Sequence, residues 1–103
     1  MKRIAVLGCL LVALALAVKG VDCAVCDQRV LDCNASADAQ HDSCLSTADG
    51  HYDLCLSICQ GDPACGSACE WDRLVEYGSC DRFYGTQQRI CDRQYTQCLN
   101  SCT

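Results

Sequence analysis

The chain changes character at about residue 20. Met1-Lys2-Arg3 is a short basic start, and residues 4–17 form an almost unbroken apolar run of 14 residues. Ala15-Leu16-Ala17 ends that run on a small-x-small pattern. This is the layout of a secretory signal peptide over residues 1–20, with cleavage after Ala17 or after Gly20. The run falls short of transmembrane length. Beyond Val21 no continuous apolar run occurs. The residue that recurs with a period is Cys, at positions 23, 26, 33, 44, 55, 59, 65, 69, 80, 91, 98 and 102.

The steps between these cysteines are 3, 7, 11, 11, 4, 6, 4, 11, 11, 7 and 4. Steps of 4, 7 and 11 are whole turns of an α-helix at roughly 100° per residue. A strand needs even steps to keep one face. The cysteines at 26, 33, 44, 55 and 59 fall within an arc of roughly 80° on one helix, and those from 65 to 102 within roughly 100° on a second. The step list is nearly a palindrome. Mirrored positions sum to 124 for five pairs and to 125 for Cys23 with Cys102. A constant sum arises when two antiparallel segments of equal rise face each other. The predicted fold is therefore all-α: an antiparallel two-helix hairpin, with helices over about 24–59 and about 64–101 and a turn over 60–64. Steps of 11 give about 3.67 residues per turn, so the seam runs nearly straight.

The turn reads independently of the symmetry. In Gln60-Gly61-Asp62-Pro63-Ala64, Gly61 suits the residue after a helix end, Asp62 an N-cap, and Pro63 the first helical position. Facing helices bring opposed Cα atoms to the 5.5–6 Å that a disulfide prefers. Six nested disulfides follow: Cys59–Cys65, Cys55–Cys69, Cys44–Cys80, Cys33–Cys91, Cys26–Cys98 and Cys23–Cys102. The last sits where the symmetry slips by one. Val30, Ala37 and Ala48 on the first helix and Arg73, Tyr84 and Tyr95 on the second occupy the inward position four residues from a Cys. Tyr77 precedes Tyr84 by seven. Small residues facing tyrosines read as core packing. Gly50, Gly78 and Gly85 interrupt helix interiors at about 1 kcal/mol each, so kinks are expected near Gly50 and Gly78.

Composition sharpens this picture. Thirteen of 103 residues are Cys and only 6% are aromatic, so cross-links replace much of the apolar core. Removal of the leader takes Cys9 with it and leaves twelve, an even number suited to full pairing in an oxidising compartment. Residues 21–103, a single cysteine-rich domain, hold five Arg against 13 acidic residues, a charge of −8. That excess argues against nucleic acid and against anionic membranes as partners.

Cys55-x3-Cys59-x5-Cys65-x3-Cys69 resembles the core of the α-hairpinins, plant peptides of two helices and two nested disulfides. The similarity spans about 15 residues. It implies a stapled helical hairpin of defensive type, antimicrobial or trypsin-inhibiting; residues 60–64 hold no Arg or Lys to serve as an inhibitory basic residue. The ladder is also similar in its logic to the paired-cysteine helical hairpins of the mitochondrial intermembrane space, and to helical cysteine-rich venom polypeptides.

Other chemistry is thinner. Cys23-x2-Cys26 lacks the βαβ context of a redox motif. Tyrosines and a Trp set the chain apart from metallothionein-like thiolate clusters, so no metal or cofactor site is assigned. His41 and His51 are ten residues apart and do not share a helix face, and both read as solvated. His41-Asp42-Ser43 has the residue types of a triad without its geometry, and no catalytic set emerges. Asn34-Ala35-Ser36 is a glycosylation sequon. Leu54, Leu56, Ile58, Trp71, Leu74 and Val75 cluster near the turn. The expectation is a secreted, non-enzymatic polypeptide that binds an extracellular protein or receptor, as a toxin, defence polypeptide or pheromone does. Its candidate contact surface is Ile58, Gln60, Asp62, Trp71 and Leu74. The alternative is a structural component of an extracellular material.

Overall fold

The computed structural model describes residues 22–103; the leader over 1–20, its cleavage sites and Cys9 lie outside them. Two long helices make up nearly all of the described chain: α1, Cys23–Cys59, and α2, Pro63–Ser101. The Asp22 carboxylate caps α1 by accepting from the Ala24 amide at 3.0 Å. At the other end Gln60 takes a left-handed conformation with φ 50°, and Gly61 follows at φ 85°. The reversal therefore begins one residue before the expected glycine, with a side chain accommodated in the left-handed region. Asp62 caps α2 through the Ala64 amide at 3.3 Å, and Pro63 stands at the first helical position. There the absence of its N–H removes nothing, because that donor has no partner inside the helix.

Six disulfides join the helices: Cys23–Cys102, Cys26–Cys98, Cys33–Cys91, Cys44–Cys80, Cys55–Cys69 and Cys59–Cys65. Five have Cα–Cα separations of 5.5–5.8 Å. Cys23–Cys102 is closer, at 5.1 Å, with Cys102 in extended backbone just past the end of α2. That extended residue absorbs the slip of one in the mirror symmetry.

The core is built from the seam alone. The buried residues are Cys26, Ala37, Ala48, Cys59, Cys69, Cys80 and Cys91. Ala37 and Ala48 stand one hendecad apart and let the helices approach between the cystines. Neither helix breaks at its glycines: α1 runs through Gly50 and α2 through Gly78 and Gly85 as continuous helix. The reason is covalent. The Cys44–Cys80 and Cys55–Cys69 bonds bracket Gly50 and Gly78 on both helices, so unwinding there would misplace two facing pairs. The about 1 kcal/mol cost of each glycine is borne locally.

Candidate functional site

Two flanks border the cystine seam, and they differ. On one flank the tyrosines of α2 lean over to α1. The Tyr95 hydroxyl donates to Asp27 Oδ1 at 2.6 Å, the Tyr84 hydroxyl to Asp38 and the Tyr77 hydroxyl to Asp49. Each phenol is held above its ordinary value of 10.0, first because its hydrogen bond to a carboxylate favours the protonated form, then by partial burial. The expectation that these rings pack as core is only half the description: their rings cover the seam and their hydroxyls clamp the helices. The sequence reading missed the aspartates. Their signal was present, since Asp27, Asp38 and Asp49 repeat at 11 residues, the dominant cysteine step, each directly after the inward Cys26, Ala37 or Ala48.

The histidines and Arg73 belong to the same cross-helix set. His41 Nε2 meets Asp81 Oδ1 at 2.8 Å, and its ring stacks on Tyr84 with centroids 4.5 Å apart. His51 Nδ1 meets Glu76 Oε2 at 3.0 Å. The reading of both as solvated holds for His51, whose side chain stays 61% exposed, and is corrected for His41, which is packed against Tyr84; both nevertheless reach across to the neighbouring helix. The Arg73 guanidinium lies over the Tyr52 ring, 3.9 Å from its centroid.

The flank of α1 that carries Arg29, Gln40 and Thr47 is more open, although Tyr95 and Glu76 reach the edges of its grooves. A groove of about 350 Å³ is lined in part by Arg29, Gln94, Gln97 and Ser101, and a shallower one of about 470 Å³ in part by Gln40, Thr47, Glu76 and Phe83. Arg29, Gln40 and Thr47 are separated by 11 and 7 residues, so the two grooves follow one helix face. Asn34 of the sequon lies in the interior of α1 and is half-buried.

The expected contact residues are all exposed. Ile58, Trp71 and Leu74 are 71%, 68% and 55% accessible, and Gln60 and Asp62 form the open tip. The geometry does not gather them into one surface. Trp71 follows the buried Cys69 by two residues, roughly 200° round the helix, which points it away from α1. Leu74 and Val75 share that outer side at the i+3 and i+4 positions. Ile58 precedes the seam residue Cys59 and lies on a flank of α1. Two surfaces result: the outer face of α2, and the α1 flank that carries Ile58 and Leu54.

Cys59 and Cys69 sulfurs approach to 3.4 Å, and the Cys55 sulfur joins them within 4.8 Å. This follows from the 4-residue step, which stacks two disulfides one turn apart. All three sulfurs are bonded in cystines, so none is a thiolate ligand. No helix among the described residues is long and apolar enough to cross a membrane. Six disulfides in 82 residues point to an oxidising environment. No family model, curated protein or solved structure matches the chain.

Proposed function

We propose that this is a secreted, non-enzymatic polypeptide that acts by binding an extracellular protein through its turn end. The observation that carries this reading is Trp71, 68% exposed on the outer face of a covalently stapled helix. Six of the ten large apolar side chains left exposed lie between Leu54 and Val75, close to the turn. A hairpin already held by cystines loses little conformational entropy on association, so a small surface suffices. Trp is the residue type most often found at binding hot spots. The apolar leader and the disulfides support export. Substituting Trp71→Ala tests the reading. The variant is expected to keep its helix content and disulfides and to lose partner binding or bioactivity. A variant with full activity would reject the turn end as contact surface. Native protein that assembles into insoluble material would favour the structural alternative, in which a durable rod is itself the function.

A further inference from the structure

We propose that the outer face of α2 beside the turn, Trp71, Leu74 and Val75 edged by Glu70 and Asp72, docks a cationic, apolar-faced peptide segment of a partner protein. This rests on the binding reading above and adds the chemistry of the partner.

Three observations carry it. The apolar part is contiguous: Trp71, Leu74 and Val75 stand at i, i+3 and i+4 and are 68%, 55% and 52% exposed. The face is fixed in orientation, because Cys69 and Cys80 on the opposite side of the same helix are both bonded to α1. The charge around it is one-sided. Residues 62–76 hold four acidic side chains and one basic, and that base, Arg73, is turned inward onto Tyr52. Glu70 and Asp72 flank Trp71 in sequence and have no ion pair among the described residues, whereas Glu76 is engaged by His51. Glu70 also lies at i−4 to Leu74, so it borders both large side chains.

An apolar strip with an uncompensated acidic edge complements an apolar strip with a basic edge. A second copy of the chain fits badly, since the same face on another molecule presents the same acids and like charges oppose each other. Trp supplies the desolvated anchor, and the acids supply attraction and register.

Trp71 is the only tryptophan in the chain, so its emission reads this face directly. The probes are an amphipathic peptide of Leu and Lys, its counterpart with Glu in place of Lys, and phosphatidylcholine vesicles, each added to the oxidised full domain. The Leu/Lys peptide is expected to shift Trp71 emission to the blue with saturation, and its affinity to fall as salt rises from about 50 mM to about 500 mM. The double variant Glu70→Gln/Asp72→Gln is expected to weaken binding about tenfold. The distant pair Asp32→Asn/Asp92→Asn removes the same charge and is expected to leave affinity within about twofold. Leu74→Asp is expected to abolish the shift.

Equal binding of the Glu peptide, equal loss in both double variants, or a shift with vesicles alone would overturn the proposal. So would the absence of any shift with the Leu/Lys peptide. If that absence accompanies loss of native binding in Trp71→Ala, the partner chemistry is wrong and the binding reading stands. A peptide-induced shift with native activity intact in Trp71→Ala rejects the functional reading and leaves the docking chemistry standing.

Discussion

The aspartate–tyrosine pairs show how single residues tie the helices together without entering the core. A neutral phenol donates to a carboxylate, so the folded state favours the protonated phenol and the pKa of Tyr77, Tyr84 and Tyr95 rises. The sign for stability follows. A raised folded-state pKa contributes stability that is complete below the ordinary phenol value of 10.0 and is lost as pH climbs through the raised values. Alkaline titration of phenolate absorbance should therefore give a component above pH 10. Replacing Asp27, Asp38 and Asp49 together with Asn should move that component down, because the charged acceptor is gone. A titration unchanged by the three substitutions would reject the cross-helix bonds. The tyrosines were legible as inward residues from their place in the step pattern. Their partners were not, because Asp on a helix reads by default as a solvated charge, and only the lateral offset of two packed helices brings a phenol to it.

At the scale of the element, both helices persist through sequence that does not favour them. Ser46-Thr47-Ala48-Asp49-Gly50 is a poor helix former, yet it lies inside α1. Thr47 donates to the Ser43 carbonyl and Thr86 to the Arg82 carbonyl, so these hydroxyls are satisfied within the helix. Gly50 is free to be improved. A Cβ built there has no neighbour within 4 Å, and its backbone is helical. Gly50→Ala should stabilise the oxidised protein by up to about 1 kcal/mol. Gly61 has equal room, but at φ 85° a side chain is strained, so Gly61→Ala should destabilise it by about 1 kcal/mol. Guanidinium unfolding of the two variants checks both signs. Reversed signs would mean that the turn and the Gly50 segment are not as described.

For the whole molecule the disulfide ladder dominates. The buried set contains five cysteines and two alanines and no large aliphatic side chain. Packing of that kind contributes too little to hold two helices of 37 and 39 residues together in water. Reduction of all six bonds should therefore abolish most of the helical circular dichroism, while the oxidised form resists heat. A reduced chain that keeps its helix would show that the Tyr–Asp clamps and Ala contacts hold the helices together without the disulfides. Removing one inner bond is milder. Cys44→Ser with Cys80→Ser merges two loops of about 22 residues each, which should cost about 3 kcal/mol by chain entropy and leave the hairpin formed. Peptide mapping without reductant should link Cys44 to Cys80 and Cys33 to Cys91 in the native protein; local links such as Cys55 to Cys59 would contradict the hairpin.

The sequence by itself determined the hairpin, its turn and the pairing of the cysteines. The physical reason is that a rigid helical rise of about 1.5 Å per residue converts positions in the chain into positions in space, so a palindromic step list has one antiparallel solution. It also marked the tip residues as apolar beyond what the seam can bury. Their spacing from the seam cysteines also sets the side of the helix each occupies, and the tertiary structure leaves those sides exposed. Only the tertiary structure joined Asp27, Asp38 and Asp49 to three tyrosines and drew His41 and His51 across the seam to Asp81 and Glu76. It also carried both helices through glycines that would interrupt an isolated helix. These outcomes depend on the lateral offset and spacing of two helices pinned at six points; the 11-residue repeat of Asp27, Asp38 and Asp49 places the acids beside the seam but does not name their partners.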